Sequence, residues 1–138
     1  MQTTKTKAID CTHYIDGAYV QSNNGKAFEN VNPATEEVLG TVAEGGKEEI
    51  DQAVSAARKA LKGEWGNMPL KKRSNIIRKI GDLILERKEE LAELESLDTG
   101  KPLWLSNKVD IDRAANNFYF FADYMTSVGN ESYQQDDL

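Results

Sequence analysis

The chain contains one cysteine, Cys11, and one histidine, His13. A lone thiol cannot close an internal disulfide, and the two residues together cannot build a zinc site from several thiolate and imidazole ligands. Cys11 lies in a short polar lead-in, away from a helix N-terminus or a cationic neighbour that would activate it, and reads as an incidental thiol. No serine or cysteine partner is placed beside His13, so it is given no catalytic role. Excess positive charge is lacking as well. Seventeen basic against 23 acidic residues leave a net charge of −6, the wrong sign for binding nucleic acid. Apolar runs extend only a few residues, far short of a bilayer span, and Met1 to Thr12 has no apolar signal core. The sequence reading is therefore a cytoplasmic protein with no membrane partner.

Chemistry-bearing motifs are also missing: no G-x-G-x-x-G, no G-x-x-x-x-G-K-[ST], no H-E-x-x-H and no C-x-x-C. The residues alone identify no cofactor site. What is present is a globular balance, 39% hydrophobic and 29% charged, in a chain long enough for one domain and free of repeats or linkers. Asp16-Gly17 between β-prone residues predicts a tight hairpin over His13 to Val20. Strands are expected over Phe28 to Val31 and Val38 to Ala43, separated by the Asn32-Pro33 turn.

Beyond Gly45-Gly46 the apolar period changes from two to 3.6. Ile50, Ala53, Val54, Ala57, Ala60 and Leu61 define the buried stripe of a first helix, with Glu48, Glu49 and Asp51 at its positive end and Lys59 and Lys62 at its negative end. Trp65 falls in the following loop. A second helix begins near Pro69, with Ile76, Ile77, Ile80, Leu83 and Ile84 as its stripe. The segment Glu89 to Leu97 continues or restarts the helix, with Leu91, Leu94 and Leu97, until Thr99-Gly100-Lys101-Pro102 stops it. A last helix is expected to bury Ile111, Ala114, Ala115, Phe118, Phe121, Ala122 and Met125. The carboxylates Glu89, Glu90, Glu93 and Glu95 read as a solvated helix face rather than an acid–base pair. The domain boundaries expected are a disordered lead-in over 1–12, a folded part over 13–128 and a polar tail over 129–138.

Three stretches together resemble the aldehyde dehydrogenase superfamily: Tyr14-Ile15-Asp16-Gly17, Val31-Asn32-Pro33-Ala34-Thr35-Glu36-Glu37-Val38-Leu39, and Leu91-Ala92-Glu93-Leu94-Glu95-Ser96-Leu97-Asp98-Thr99-Gly100-Lys101-Pro102. The resemblance implies an α/β fold in its opening part, namely N-terminal β-hairpin strands followed by the helical layer of a Rossmann-like cofactor domain, incomplete in this chain. It implies NAD or NADP as cofactor of the complete enzyme, and aldehyde oxidation by cysteine attack, hydride transfer and glutamate-assisted thioester hydrolysis. In the family those cysteine and glutamate residues, and the cofactor-binding lysine and glycines, lie beyond the stretch matched here. The isolated chain is therefore expected to bind no cofactor and to be inactive.

Two further features come from the resemblance. A structural monovalent-cation site in the family corresponds to Asn30, Val31 and Asp98 here; the alternative for Asp98 is a hydrogen bond to nearby backbone. The helix from Asp110 to Asp123 is similar to the branch that oxidises hydroxymuconic and aminomuconic semialdehydes. There Arg113 corresponds to a residue suited to hold a substrate carboxylate through its planar, permanently charged fork. The alternative for Arg113 is a surface pair with Asp110 one turn away. Expected partners are the remainder of the enzyme or a complete homologue, within a homo-oligomer. A second functional reading is a stand-alone assembly module that associates with a complete homologue through an exposed apolar face. Helices without the sheet they normally cover would leave apolar stripes wet, at a cost of ~25 cal/mol per Å², so a sticky monomer is expected.

Overall fold

A computed structural model describes residues 10–129. Strands β1 (His13–Ile15) and β2 (Ala18–Val20) form the expected hairpin, in register His13 with Val20 and Ile15 with Ala18. Its two turn residues, Asp16 and Gly17, both take positive φ, 51° and 83°. That is the geometry whose twist matches a two-residue hairpin. Strands β3 (Ala27–Val31) and β4 (Val38–Ala43) make a second antiparallel pair, one residue longer at Ala27 than expected. Their turn is tied by Asn32, whose side-chain oxygen accepts a bond from the Ala34 amide at 2.8 Å. The register shifts between Asn30, opposite Gly40, and Val31, opposite Val38.

Asp10 and Cys11, which the sequence places in the lead-in, are recruited by the free edge of β4. The Cys11 amide donates to the Thr41 carbonyl at 2.7 Å, and the Ala43 amide donates to the Cys11 carbonyl at 2.9 Å. One Asp10 carboxylate oxygen takes both the amide and the hydroxyl of Thr41. Residues 1–9 and 130–138, which include most of the expected lead-in and tail, lie outside the described residues.

Six α-helices follow. They are α1 (Lys47–Lys62), α2 (Glu64–Asn67), α3 (Leu70–Glu86), α4 (Lys88–Thr99), α5 (Leu103–Leu105) and α6 (Ile111–Ser127), with a π-helical turn over Ser106–Asp110 joining the last two. Trp65, expected in a loop, sits half-buried in the short α2. Gly100 ends α4 with φ 71° while its amide returns to the Ser96 carbonyl, and Pro102 begins the next segment. Glycine is needed here twice over, for the left-handed backbone and because a Cβ would lie 2.9 Å from Cγ of Pro33.

Packing departs from the expected stripes. Helices α3 and α6 run antiparallel and meet on small residues: Ser74 and Gly81 are buried on one, Ala115 and Ala122 on the other. The Ser74 hydroxyl donates to the Ala122 carbonyl at 2.8 Å, and a Cβ on Gly81 would sit 2.6 Å from the Tyr119 ring. Because the backbones approach through this small-residue seam, the branched side chains are turned aside. Ile77 and Ile84 are half-buried, whereas Ile76, Ile80 and Leu83 are exposed. On α6, Phe121 stays 58% exposed and Phe118 is only partly covered, so neither is a core residue as expected. On α1 the expected stripe is largely wet, with Ile50 60% and Leu61 65% exposed. Among the described residues there are two two-stranded sheets, too little sheet to cover these helices.

Helix α1 is held instead through a carboxylate. Glu49 is buried, and its two oxygens accept bonds of 2.7 Å from the amides of Asn23 and Gly46. These amide bonds, Asn23 first, hold its carboxyl below the usual carboxylate range.

Candidate functional site

The second and third signature stretches, far apart in sequence, meet in space. The Asn30 side-chain amide donates to an Asp98 carboxylate oxygen at 2.8 Å, and Gly100 packs against Pro33 and Ala34. Asn30, Val31 and Asp98 thus gather where β4 bulges at Leu39 opposite β3 and where α4 ends. Asp98 bonds the Asn30 side chain rather than nearby backbone as the alternative had it. A cleft of about 540 Å³ opens beside them, lined by Cys11, Asn30, Leu39, Leu91, Asp98 and Ile111 among others. Its walls are mainly aliphatic. Among the described residues, no three or more His, Cys, Asp or Glu side chains gather in a metal-holding cluster.

Arg113 lies on α6, exposed, beside this cleft rather than in it: Ile111 and Ala114 line the cleft and Arg113 does not. The surface pair with Asp110 does not form. Asp110 is held by Lys101, whose ammonium donates to Asp110 at 2.8 Å and to Glu95 at 2.9 Å. These two bonds, Asp110 first, raise the Lys101 ammonium above its ordinary lysine value. Asp112, the other neighbouring carboxylate, accepts from Lys88 at 2.7 Å. Among the described residues Arg113 makes no ion pair within 4.0 Å.

Several residues of consequence were not legible as such. Lys101 reads in sequence only as part of a helix stop, yet it knots α4 to the π turn. Glu49 was placed in the first turn of α1, and its position three residues after Gly46 was the available signal for a cap. Nothing in the spacing flags the Tyr119 hydroxyl, which donates to Asp82 at 2.9 Å across the α3–α6 seam. Burial and this bond to a carboxylate both push the Tyr119 phenol up.

Two β-hairpins followed by a helical layer, with the Asn-Pro turn docked on the Thr-Gly-Lys-Pro stop, define the class of protein. Residues 19–137 match the aldehyde dehydrogenase family, and the chain belongs to that family. It is 47% identical over 122 residues to 2-hydroxymuconic semialdehyde dehydrogenase from Pseudomonas sp. (strain CF600), a match covering 88% of this chain and 25% of that protein. Against 5-carboxymethyl-2-hydroxymuconate semialdehyde dehydrogenase of Escherichia coli it is 42% identical, over 91% of this chain and 26% of the relative. Among solved structures, the NAD+ complex of aldehyde dehydrogenase from Bacillus cereus superposes with a TM-score of 0.86 at 40% identity, covering 91% of this chain and 26% of that one. The chain spans about a quarter of the length of the curated relatives it matches. Its fold is the opening part of the aldehyde dehydrogenase fold. No helix among the described residues is long and apolar enough to cross a membrane.

Proposed function

We propose that this segment is the N-terminal part of an oxidoreductase that converts a carboxylate-bearing semialdehyde to the corresponding acid with NAD or NADP, through a cysteine thiohemiacetal. Arg113 is the substrate-contact residue of the segment. The observation that carries the reading is a guanidinium, exposed on α6, that makes no ion pair among the described residues while the neighbouring Asp110 and Asp112 are taken by lysines. Two relatives give it context, since both are named for semialdehydes of muconic acids, compounds that keep a carboxylate at the end of the carbon chain opposite the reacting aldehyde. A planar, bidentate cation is the group that such a carboxylate selects.

Within this reading the nucleophilic cysteine is supplied by the rest of the enzyme. Cys11 is fixed to the edge of β4 by two backbone bonds, and its thiol makes no hydrogen bond to a side chain among the described residues. The 138 residues by themselves therefore turn over no aldehyde. In a complete enzyme carrying this segment, Arg113→Ala raises KM for a carboxylate-bearing semialdehyde by roughly 10- to 100-fold, since a hydrogen bond to a charged group contributes about 1.5–3 kcal/mol. The KM for a neutral aldehyde stays near its starting value. Equal changes for the two substrates would remove Arg113 from the site.

Asn30, Val31 and Asp98 belong, on the same reading, to a structural monovalent-cation site, with carbonyl oxygens and the Asp98 carboxylate as ligands. A second reading is an assembly module that binds a complete homologue; the uncovered faces of α1 and α6 favour it. Size-exclusion of the chain mixed with a complete dehydrogenase tests it, because the absence of a mixed particle removes the module reading.

A further inference from the structure

We propose that Lys101 is a positioning residue for substrate choice: by holding the Asp110 carboxylate it keeps the Arg113 guanidinium free for a carboxylate-bearing aldehyde. The inference rests on the substrate role proposed above for Arg113. It starts from helix geometry. Residues three apart on a helix are surface neighbours, so an aspartate closing the π turn at 110 and an arginine at 113 are candidates to pair. Here they do not, and the structure assigns the reason to Lys101, which reaches Asp110 at 2.8 Å from outside the helix.

The competing pair is well prepared. Lys101 follows the left-handed Gly100, and its carbonyl accepts the Ser96 hydroxyl at 2.7 Å, so its backbone is fixed before its side chain reaches out. Asp110 closes the π turn, with the next amide, that of Ile111, bonded back to the Ser106 carbonyl. Glu95 holds the other side of the ammonium at 2.9 Å. The Lys101 and Asp110 side chains each keep only 30% of their surface exposed, so water and salt screen this pair less than they screen a pair with the exposed Arg113. Without the ammonium, Glu95 and Asp110 would be two like charges side by side, and Asp110 would be released toward Arg113, three residues along. Asp112 is a built-in control: it is also held by a lysine, Lys88, but adjacent residues on a helix do not face one another.

The test uses a complete dehydrogenase carrying this segment, loaded with NAD+, and compares KM for a carboxylate-bearing semialdehyde with KM for a neutral aldehyde of similar length. Lys101→Gln is expected to raise the first roughly three- to fivefold, the range an exposed ion pair can compete away, and to leave the second unchanged. Adding Asp110→Asn restores the original value, and Lys88→Gln alone changes neither. A rise shared by both aldehydes, no rise at all, a rise that persists with Asp110→Asn, or an equal effect from Lys88→Gln each overturns the proposal. Should Lys101→Gln not fold, Asn117→Asp supplies an unheld carboxylate four residues beyond Arg113, at an exposed position. It is expected to raise the same KM selectively, and no selective rise overturns the proposal. Arg113→Ala separates the two levels. If it is not selective, the substrate role of Arg113 fails; if it is selective while Lys101→Gln is not, only the role of Lys101 fails.

Discussion

The two halves of the segment are held together by different means. In the N-terminal half, α1 rests mainly on β1 and α2, and its firmest tie is a buried carboxylate, Glu49, gripping two backbone amides. In the C-terminal half, α3 and α6 pack directly on each other through Ser74, Gly81, Ala115 and Ala122. An amphipathic helix needs a partner surface before its stripe is worth anything, whereas a small-residue seam brings its own partner and gains dispersion contacts along its whole length. The two regions should therefore respond to different perturbations.

Overpacking the seam has the largest expected effect. Gly81→Val places atoms against a Tyr119 ring already fixed by Asp82, and is expected to lower stability by roughly 2–3 kcal/mol in a urea titration. A loss no greater than that of a surface change would show that the seam does not organise the segment. Acid acts on the other half. Because the folded state lowers the Glu49 carboxyl, its contribution is complete above the ordinary carboxylate pKa and is lost as pH falls through the lowered folded value. Hydrogen-exchange protection of the Asn23 and Gly46 amides should then drop before that of the α3 and α6 amides, whose fully buried contacts at Ser74, Gly81, Ala115 and Ala122 are uncharged. Simultaneous loss in both halves would mean a single cooperative unit. The smallest effect is expected at Val54, 46% exposed on the uncovered α1 stripe. Val54→Lys should change the stability of the isolated chain by no more than about 0.5 kcal/mol, while reducing its binding of a hydrophobic dye. A larger loss would show that the stripe is covered in solution.

Element positions were largely legible because they rest on local rules. Asp16-Gly17 dictates a turn, Gly100 before Pro102 dictates a stop, and the 3.6 period from Ile50 to Leu61 dictates a helix. The identity of the buried faces was less so. Hydrophobicity marks Ile76, Ile80 and Phe121 as core, but in this segment backbone proximity at Gly81 and Ala122 decides which face closes, and a pattern of large apolar residues carries no record of that. The π turn over Ser106–Asp110 was also invisible, since an extra residue in a helical turn leaves no compositional trace.

The candidate site divides in the same way. Asn30, Val31, Asp98 and Arg113 were reachable from sequence because motifs fix residue type and order. That Asn30 bonds Asp98, and that Asp110 goes to Lys101 instead of Arg113, was not, because a charged side chain chooses among all partners within reach and that set exists only once the chain is folded. The sequence alone determined the family, the order of the strands and of the long helices, and the stop at Gly100 to Pro102, through turn chemistry, capping and apolar period. Only the tertiary structure decided which helix faces meet and which cation is left free, because close packing and ion pairing depend on distances between residues that are remote along the chain.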